Sequence, residues 1–381
     1  MRVIVVGGGI MGLSTALNLC KKGHKVTVFE QSSIPNPYGS SVDQHRLIRH
    51  PYGTMGGYAR LVDPALKAWS QLWDDLGQSF FHQTGTLILA RDDPEWIESS
   101  LSDLADMDIN HTIMEPDDIK TKAPALDIDG VELAAWVQSG GVLLAQDIVR
   151  ALGRQIVLRG GIIHTHTPVV DIDTQRSAVI IEDGTRIRSD RMIVAAGPWV
   201  RDICQAAVGR VKPSRQLVVY LDAPPPIAEQ WSRSPMILDI HGKGGIYIVP
   251  PVGHTGLKIG DHNFSLRGHP SDDRMAHEHE VKALLAASSH RIVDINDYTV
   301  SESKICFYTA EKDEKFILEP VDKALLLTGF SGHGFKFGAL MGAIAASVLA
   351  GTISTDNATQ LAAGSVTEPD ILHSLTSRCL D

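Results

Sequence analysis

Cysteine is scarce and dispersed in this chain: Cys20, Cys204, Cys306 and Cys379 are its four, far apart and with no C-x-x-C pair. That spacing argues against a disulfide framework and against a thiolate zinc site. Positive charge is short as well. Lys and Arg number 35 against 45 Asp and Glu, the formal net charge is -10, and no basic tract breaks the pattern. Neither a nucleic-acid partner nor attraction to an anionic membrane surface is expected. The longest apolar run, around Ala339 to Gly351, is too short and too punctuated by glycine to span a bilayer, and reads as a buried helix. No charged leader or cleavage site precedes the first strand, which makes a cytoplasmic address the expectation. Internal repeats and low-complexity segments are lacking too.

What is present is enough apolar sequence for a large core. The 381 residues are 43% hydrophobic and 21% charged, which suits a soluble protein of two domains. The first motif is at the N-terminus. Val3-Ile4-Val5-Val6 reads as a buried parallel strand and runs into Gly7-Gly8-Gly9-Ile10-Met11-Gly12, a G-x-G-x-x-G in the right place. Gly7 allows the tight turn, Gly9 lets a pyrophosphate approach the backbone, and Gly12 lets the next helix pack on the strand. The helix N-terminus, entered through Ile10 and Met11, favours the phosphate charge. Lys25 to Glu30 then makes a second strand ending in an acid, and Glu30 is placed for a ribose diol. The same βαβ unit holds the ADP half of NAD or of FAD, so the fingerprint alone does not choose between them.

Further on, Ser40 and Ser41 follow a loop with Pro35 and Pro37, and a helical reading of 43–50 puts Arg46 and Arg49 on one face. Residues 147–159 read as helix, and 191–197 as an apolar strand ending in small residues, among them Gly197, that admit a cofactor. Between about 210 and 300 the texture becomes alternating strands broken by turns, which predicts a largely antiparallel sheet in a second domain. The strand 324–328 leads through Gly329 into the apolar helix beginning near Phe337. The fold class expected is α/β with an α+β second domain. A discontinuous Rossmann-like domain is expected over 1–80, 140–209 and 310–381, and a substrate domain over 81–139 and 210–309.

Cys306-Phe307-Tyr308 and the later run Gly329-Phe330-Ser331-Gly332-His333-Gly334-Phe335-Lys336 complete the pattern. With these motifs the chain resembles, end to end, the monomeric sarcosine oxidase and N-methyltryptophan oxidase family of FAD-dependent amine oxidases. The resemblance implies FAD, held by the N-terminal fingerprint, Ser40, Ser41, Arg46, Gly197, Gly332, Gly334 and Phe335, and joined through a Cys306 thioether to the 8α-methyl of its ring. It implies that Arg49 and Lys336 take the substrate carboxylate, that Tyr247, His262 and Tyr308 line the substrate side of the ring, and that Lys258 activates O2. An amino acid with a free carboxylate and O2 are the partners so implied, acting on a monomer or homodimer. The sequence departs from the pattern at Asp261, where an aromatic residue is usual, and at His45, where a small hydroxyl residue is usual.

Other readings stay open on the residues alone. A flavin dehydrogenase would pass electrons to a quinone or protein acceptor, an NAD enzyme would use only the first fingerprint, and a non-catalytic flavin protein would have a closed pocket. No metal is expected: His277-Glu278-His279-Glu280 does not converge and reads as a solvated charged face. His164 and His166 read as one face of a strand near the surface. Cys20 reads as core, Cys204 follows the glycine turn at Gly197 and is given no role, and Cys379 reads as part of a mobile tail.

Overall fold

The chain is described by a computed structural model over residues 1–91, 93–241 and 244–380. The strand Arg2–Val6 lies inside a six-stranded sheet, flanked by Arg191–Val194 and Lys25–Phe29. Ile162–His164 forms one edge, Ala324–Thr328 extends the other side, and all pairings are parallel until the last strand, Ile317–Val321, which runs antiparallel. A parallel strand must bury both faces, and this one does. Val3 and Val5 enter an apolar cluster with the helices Ile10–Lys21, Ala145–Leu158 and Gly338–Leu349, while Ile4 and Val6 enter a second cluster. That second cluster is roofed by the antiparallel strands Val169–Asp173, Ala178–Ile181 and Arg186–Arg188. The apolar run near Ala339 is a helix buried from Gly338 through Ser347, which explains why it shows no polar face.

The second large sheet has eight strands, ordered Thr299–Glu311, Val211–Asp222, Leu257–Asp261, Gly244–Val249, Met236–His241, Thr86–Ala90, Leu133–Val137 and His111–Ile113. All its pairings are antiparallel except that of Met236–His241 with Thr86–Ala90, so the expected mixed, largely antiparallel sheet is what forms. The α/β class with a Rossmann-like unit holds. No helix among the described residues is long and apolar enough to cross a membrane.

Three local expectations are corrected. The stretch after Asp43 is not helical: Arg46–Ile48 is a strand paired with Gly141–Leu143. Pro51 pushes the residue before it out of the helical region, and Ile48, wholly buried, gains more from the sheet. His166 lies beyond the strand that ends at His164, at φ 51, so the two do not share a strand face, although both are exposed. Cys379 is not in a mobile tail but is buried on the helix Pro369–Leu380, against the main apolar cluster.

The glycine fingerprint is steric before it is anything else. Gly7 sits at φ +107, and a side-chain carbon on it would stand 2.2 Å from the Ala195 carbonyl oxygen; one on Gly12 would stand 1.9 Å from the Gly7 oxygen. Gly12→Ala must therefore push the first helix off the sheet. We expect it to lower unfolding free energy by about 1–3 kcal/mol, the usual cost of overpacking, in urea titrations followed by circular dichroism. An unchanged midpoint would show that helix and strand are not so tightly apposed.

Candidate active site at the seam of the two sheets

The ends of the parallel strands open on a cavity of about 1200 Å³ of empty space. It is lined by Gly7, Gly9, Ile10 and Met11 of the fingerprint, by Glu30, Ser40 and Ser41, and by Gly197, Gly332, Gly334 and Phe335. Ser41 Oγ accepts from the Ile10 amide at 3.0 Å, holding the loop against the helix start. Glu30, 5% exposed, accepts from the Gly8 amide at 2.7 Å, the Ser32 amide at 3.0 Å and Asn36 Nδ2 at 2.9 Å. Burial raises its pKa and these donors oppose the rise. Gly12 does not line the cavity; its part is packing.

A second cavity, about 690 Å³, adjoins the first, and Arg46, Tyr308, Gly332 and Phe335 line both. Arg49, Tyr247, Lys258, Asp261, His262 and Lys336 line the second alone, so residues from four separate stretches of sequence converge there. Gly332, at φ +77, has to be glycine, because a side-chain carbon would stand 2.4 Å from the Tyr308 ring. Cys306 is two residues before Tyr308 on the strand Thr299–Glu311 and shares its face, but the thiol is buried and lines neither cavity. A thiolate at this position would act electrostatically on Tyr308, Tyr247 and Lys258.

The second cavity has an unbalanced charge. Arg49 is 6% exposed, and its Nε and Nη1 have no hydrogen-bond partner. Its guanidinium lies 4.7 Å from the Tyr52 ring centre and 5.4 Å from that of Trp96. Lys336 is also buried, and its Nζ donates to the Tyr52 hydroxyl at 3.0 Å. Burial and then Arg49 draw the Lys336 pKa well down, and burial alone lowers that of Arg49, with Glu314 near enough to oppose but not hydrogen-bonded to it. His262 is held neutral, its pKa lowered to about 4 by burial, Arg49 and Lys336. Burial raises the Tyr247 and Tyr308 hydroxyls, which stay protonated.

On the far side of Tyr247, Lys258 Nζ contacts the Asp43 carboxylate and lies 5.7 Å from the Tyr247 ring centre. Asp43 also receives Arg46 and the Tyr220 hydroxyl. Burial, then Arg46, pull the Lys258 pKa down, and the contact with Asp43 works the other way. Sequence reasoning gave no role to Asp43, Tyr52, Tyr220 or His333. His333 was inside the glycine-rich run and was visible; Asp43 preceded Arg46 by three residues; nothing in the sequence marked Tyr52 or Tyr220. The stretch from His277 to Glu280 is used structurally: His277 and Glu280 make a capping box for the helix Glu278–Ser288, and Glu280 pairs with Arg215. Among the described residues no cluster could hold a metal ion.

A strand-to-helix glycine cradle opening into a cation-lined cavity is the layout of a dinucleotide-dependent redox enzyme. The cradle's backbone amides, glycine walls and helix N-terminus suit a pyrophosphate, and the orphaned Arg49 donors beside it suit an anion. Comparison gives the particular class: the family described as FAD dependent oxidoreductase matches residues 2–348, and the chain belongs to it. It is 27% identical over 353 residues to a monomeric sarcosine oxidase of Bacillus sp. (strain B-0618), covering 90% of each chain. It is likewise 27% identical over 352 residues to a peroxisomal sarcosine oxidase of Homo sapiens, again covering 90% of each. Among solved structures, an L-proline dehydrogenase from P. horikoshii superposes with a TM-score of 0.81 at 20% identity, covering 96% of both chains. The protein is an FAD-dependent oxidoreductase.

The buried imidazoles make stability depend on pH. His45 is held to about 3 by burial and by Lys258, and His262 to about 4. The unfolded chain takes up these protons near pH 6.5, the folded chain only near the lowered values. Their stability cost is therefore absent above about pH 6.5 and grows as pH falls, by about 1.4 kcal/mol per pH unit for each histidine. His45 Nε2 faces the Gly256 carbonyl at 3.1 Å, a bond that Gln can supply. In His45→Gln the loss of unfolding free energy between pH 7 and pH 5 should shrink by about 2 kcal/mol. An unchanged difference in chemical unfolding at the two pH values would mean that His45 titrates normally.

Proposed function

We propose that the enzyme is an oxidase of a small amino acid, a secondary amine whose nitrogen is N-methylated or part of a ring, that releases an imine and reduces O2 to hydrogen peroxide. The observation that carries this reading is the pair of buried cations, Arg49 and Lys336, the former with two donor nitrogens unpartnered, in a cavity adjoining the dinucleotide cradle. A guanidinium buried without a carboxylate is costly, and a substrate carboxylate relieves that cost. The likeness to sarcosine oxidases supports the amine chemistry.

The fingerprint glycines, Glu30, Ser40, Ser41, Arg46 and the 332–335 turn would hold FAD, and Cys306, on the Tyr308 face of its strand but behind the cavity wall, would have to turn its thiol into the cavity to become the covalent attachment. Bound there, the flavin would supply the two-electron acceptor that takes a hydride equivalent from the carbon beside nitrogen and later gives both electrons to O2. The rest is the work of side chains. Arg49 would grip the substrate carboxylate with its planar fork and Lys336 would add a point charge. The cationic surroundings disfavour an ammonium, so the bound amine reaches the neutral form whose lone pair drives the imine. Tyr247 and Tyr308 remain hydrogen-bond donors and His262, being neutral, keeps an acceptor nitrogen; none is assigned as a general base. Lys258 would stabilise the negative charge that develops on O2.

Two preparations test the reading, the holoenzyme and an Arg49 variant. Anaerobic addition of N-methyl and cyclic amino acids to the holoenzyme should bleach the flavin band, and air should restore it with one peroxide per substrate; bleaching without peroxide would make the enzyme a dehydrogenase. In the same preparation, yellow colour that stays with acid-precipitated protein is the outcome expected of the Cys306 linkage, and colour released to the supernatant refutes it. Second, Arg49→Ala should raise KM for carboxylate substrates roughly tenfold to hundredfold, the worth of a charge-assisted hydrogen bond, and unchanged kinetics would remove Arg49 from the site.

A further inference from the structure

Asp43 is a buried carboxylate for which the proposed chemistry has no use, and it is the meeting point of the cations on the oxygen side of the site. It is 1% exposed and lines neither cavity. Its carboxylate receives Lys258 Nζ from the strand Leu257–Asp261, the Arg46 guanidinium from the strand Arg46–Ile48, and the Tyr220 hydroxyl from the strand Val211–Asp222. Tyr220 is also fully buried and accepts from the Gln44 amide at 3.2 Å, so the hydroxyl that reaches Asp43 is itself fixed. Such an array costs desolvation free energy, which an ionised carboxylate offsets through its two cationic partners and the hydroxyl that donates to it.

We propose that Asp43 is a positioning residue for the oxidative half-reaction, the counter-ion that keeps Lys258 protonated and aimed at the place where O2 is reduced. The inference rests on the assignment of Lys258 to oxygen made above. In that step O2 would take two electrons from the reduced flavin and two protons, one from the flavin and one from solvent, to form hydrogen peroxide, while Asp43 and Lys258 gain and lose nothing over the cycle. What Lys258 contributes is a positive charge, so it must hold its proton. Its surroundings work against that. Arg46 and Lys304 repel it, burial penalises it, and of its other neighbours His45 is neutral, Tyr247 is protonated and the Cys306 thiol carries charge only as a thiolate. Glu302 is engaged by Gln44 Nε2 at 2.8 Å. The Asp43 carboxylate is therefore the anion in contact with Nζ that offsets these effects.

The sign follows. With Asp43 present, reoxidation stays fast until pH passes the Lys258 pKa; without it, that pKa drops and the fast regime ends at lower pH. In rapid-mixing experiments on the holoenzyme, Asp43→Asn should move the alkaline limb of the O2 reoxidation rate down by about one pH unit or more, a roughly tenfold loss above the new limb. Flavin reduction by substrate should change far less. Asp43→Glu, which keeps the charge, should restore most of the limb, which a merely space-filling role does not predict. An unmoved limb in Asp43→Asn, with Lys258→Met slowing reoxidation, overturns this proposal and leaves the assignment of Lys258 standing. If Lys258→Met does not slow reoxidation, the assignment itself fails. Unfolding free energy gives a second readout, usable even if Asp43→Asn folds poorly: because Arg46 still needs Asp43 when Lys258 is gone, a counter-ion role toward Lys258 predicts that Asp43→Asn costs less stability in the Lys258→Met background than in the otherwise unchanged chain. An equal cost in the two backgrounds overturns the proposal.

Discussion

More positive charge is buried at the seam of the two large sheets than the protein neutralises, and the design of the site follows from that excess. Arg49, Lys258 and Lys336 are almost fully buried, and Arg46 is nearly so. Asp43 answers two of them, Arg46 and Lys258. No carboxylate pairs with Arg49 or Lys336 among the described residues. A buried cation without a partner either loses its proton or takes an anion from outside, and a guanidinium does not lose its proton. The folded chain thus has an anion requirement built into it, which the proposed carboxylate substrate would meet, as would a flavin that becomes negative. Binding of either should add to stability by mass action.

The fold holds this excess in place by separating what is soft from what is rigid. The cations stand on strands, strand ends and tight turns: Arg49 just past Arg46–Ile48, Lys258 inside Leu257–Asp261, and Lys336 in a short 3-10 turn before the helix Gly338–Leu349, which is buried through Ser347. Each backbone is anchored by a sheet ladder or by apolar packing, so none of the charges can swing out to water. Aromatic rings do the rest. Tyr52 lies under both Arg49 and Lys336 and hydrogen-bonds the latter, giving two like charges a common polarisable neighbour.

Much of this was legible in the sequence, for physical reasons that differ from residue to residue. The first βαβ unit was readable because Gly7 and Gly12 leave no room for another residue and because strand burial on both faces writes itself as an unbroken apolar run. The helix at Ala339 was readable for the same reason. The functional residues named from the glycine-rich run, the Cys-x-Tyr strand and the Lys258 segment meet at one seam, Cys306 behind the wall of the cavities and the others on it. What was not legible is what depends on distant pairing. The 43–50 run has charges at helical spacing, and only the Gly141–Leu143 partner, about a hundred residues away, makes it a strand. Asp43 and Tyr220 were invisible for that reason too, since a lone acid and a lone phenol mean nothing until 177 positions of chain fold them together. Cys379 looked terminal and mobile because burial at a chain end leaves no local signature.

The contrast between the two cation pairs carries a last step. Lys258 and Arg46 are met by protein, whereas Arg49 keeps two donors free and Lys336 has only a phenol. A group that must act alike on every turnover gains from a fixed counter-ion, since its protonation is then independent of what is bound. A group that must recognise a substrate loses by one, because the substrate would first have to displace it. The side bearing Asp43 therefore suits a small neutral molecule such as O2, which brings no charge to the site, and the side bearing Arg49 suits a ligand that brings its own. Asp261, partly buried with its pKa raised by burial and lining the second cavity near Tyr247 and Tyr308, adds a feature to that ligand. A carboxyl group on that wall is costly beside apolar surface and accepts from a hydrogen-bond donor, so the wall is poorly suited to being filled by an extended apolar group.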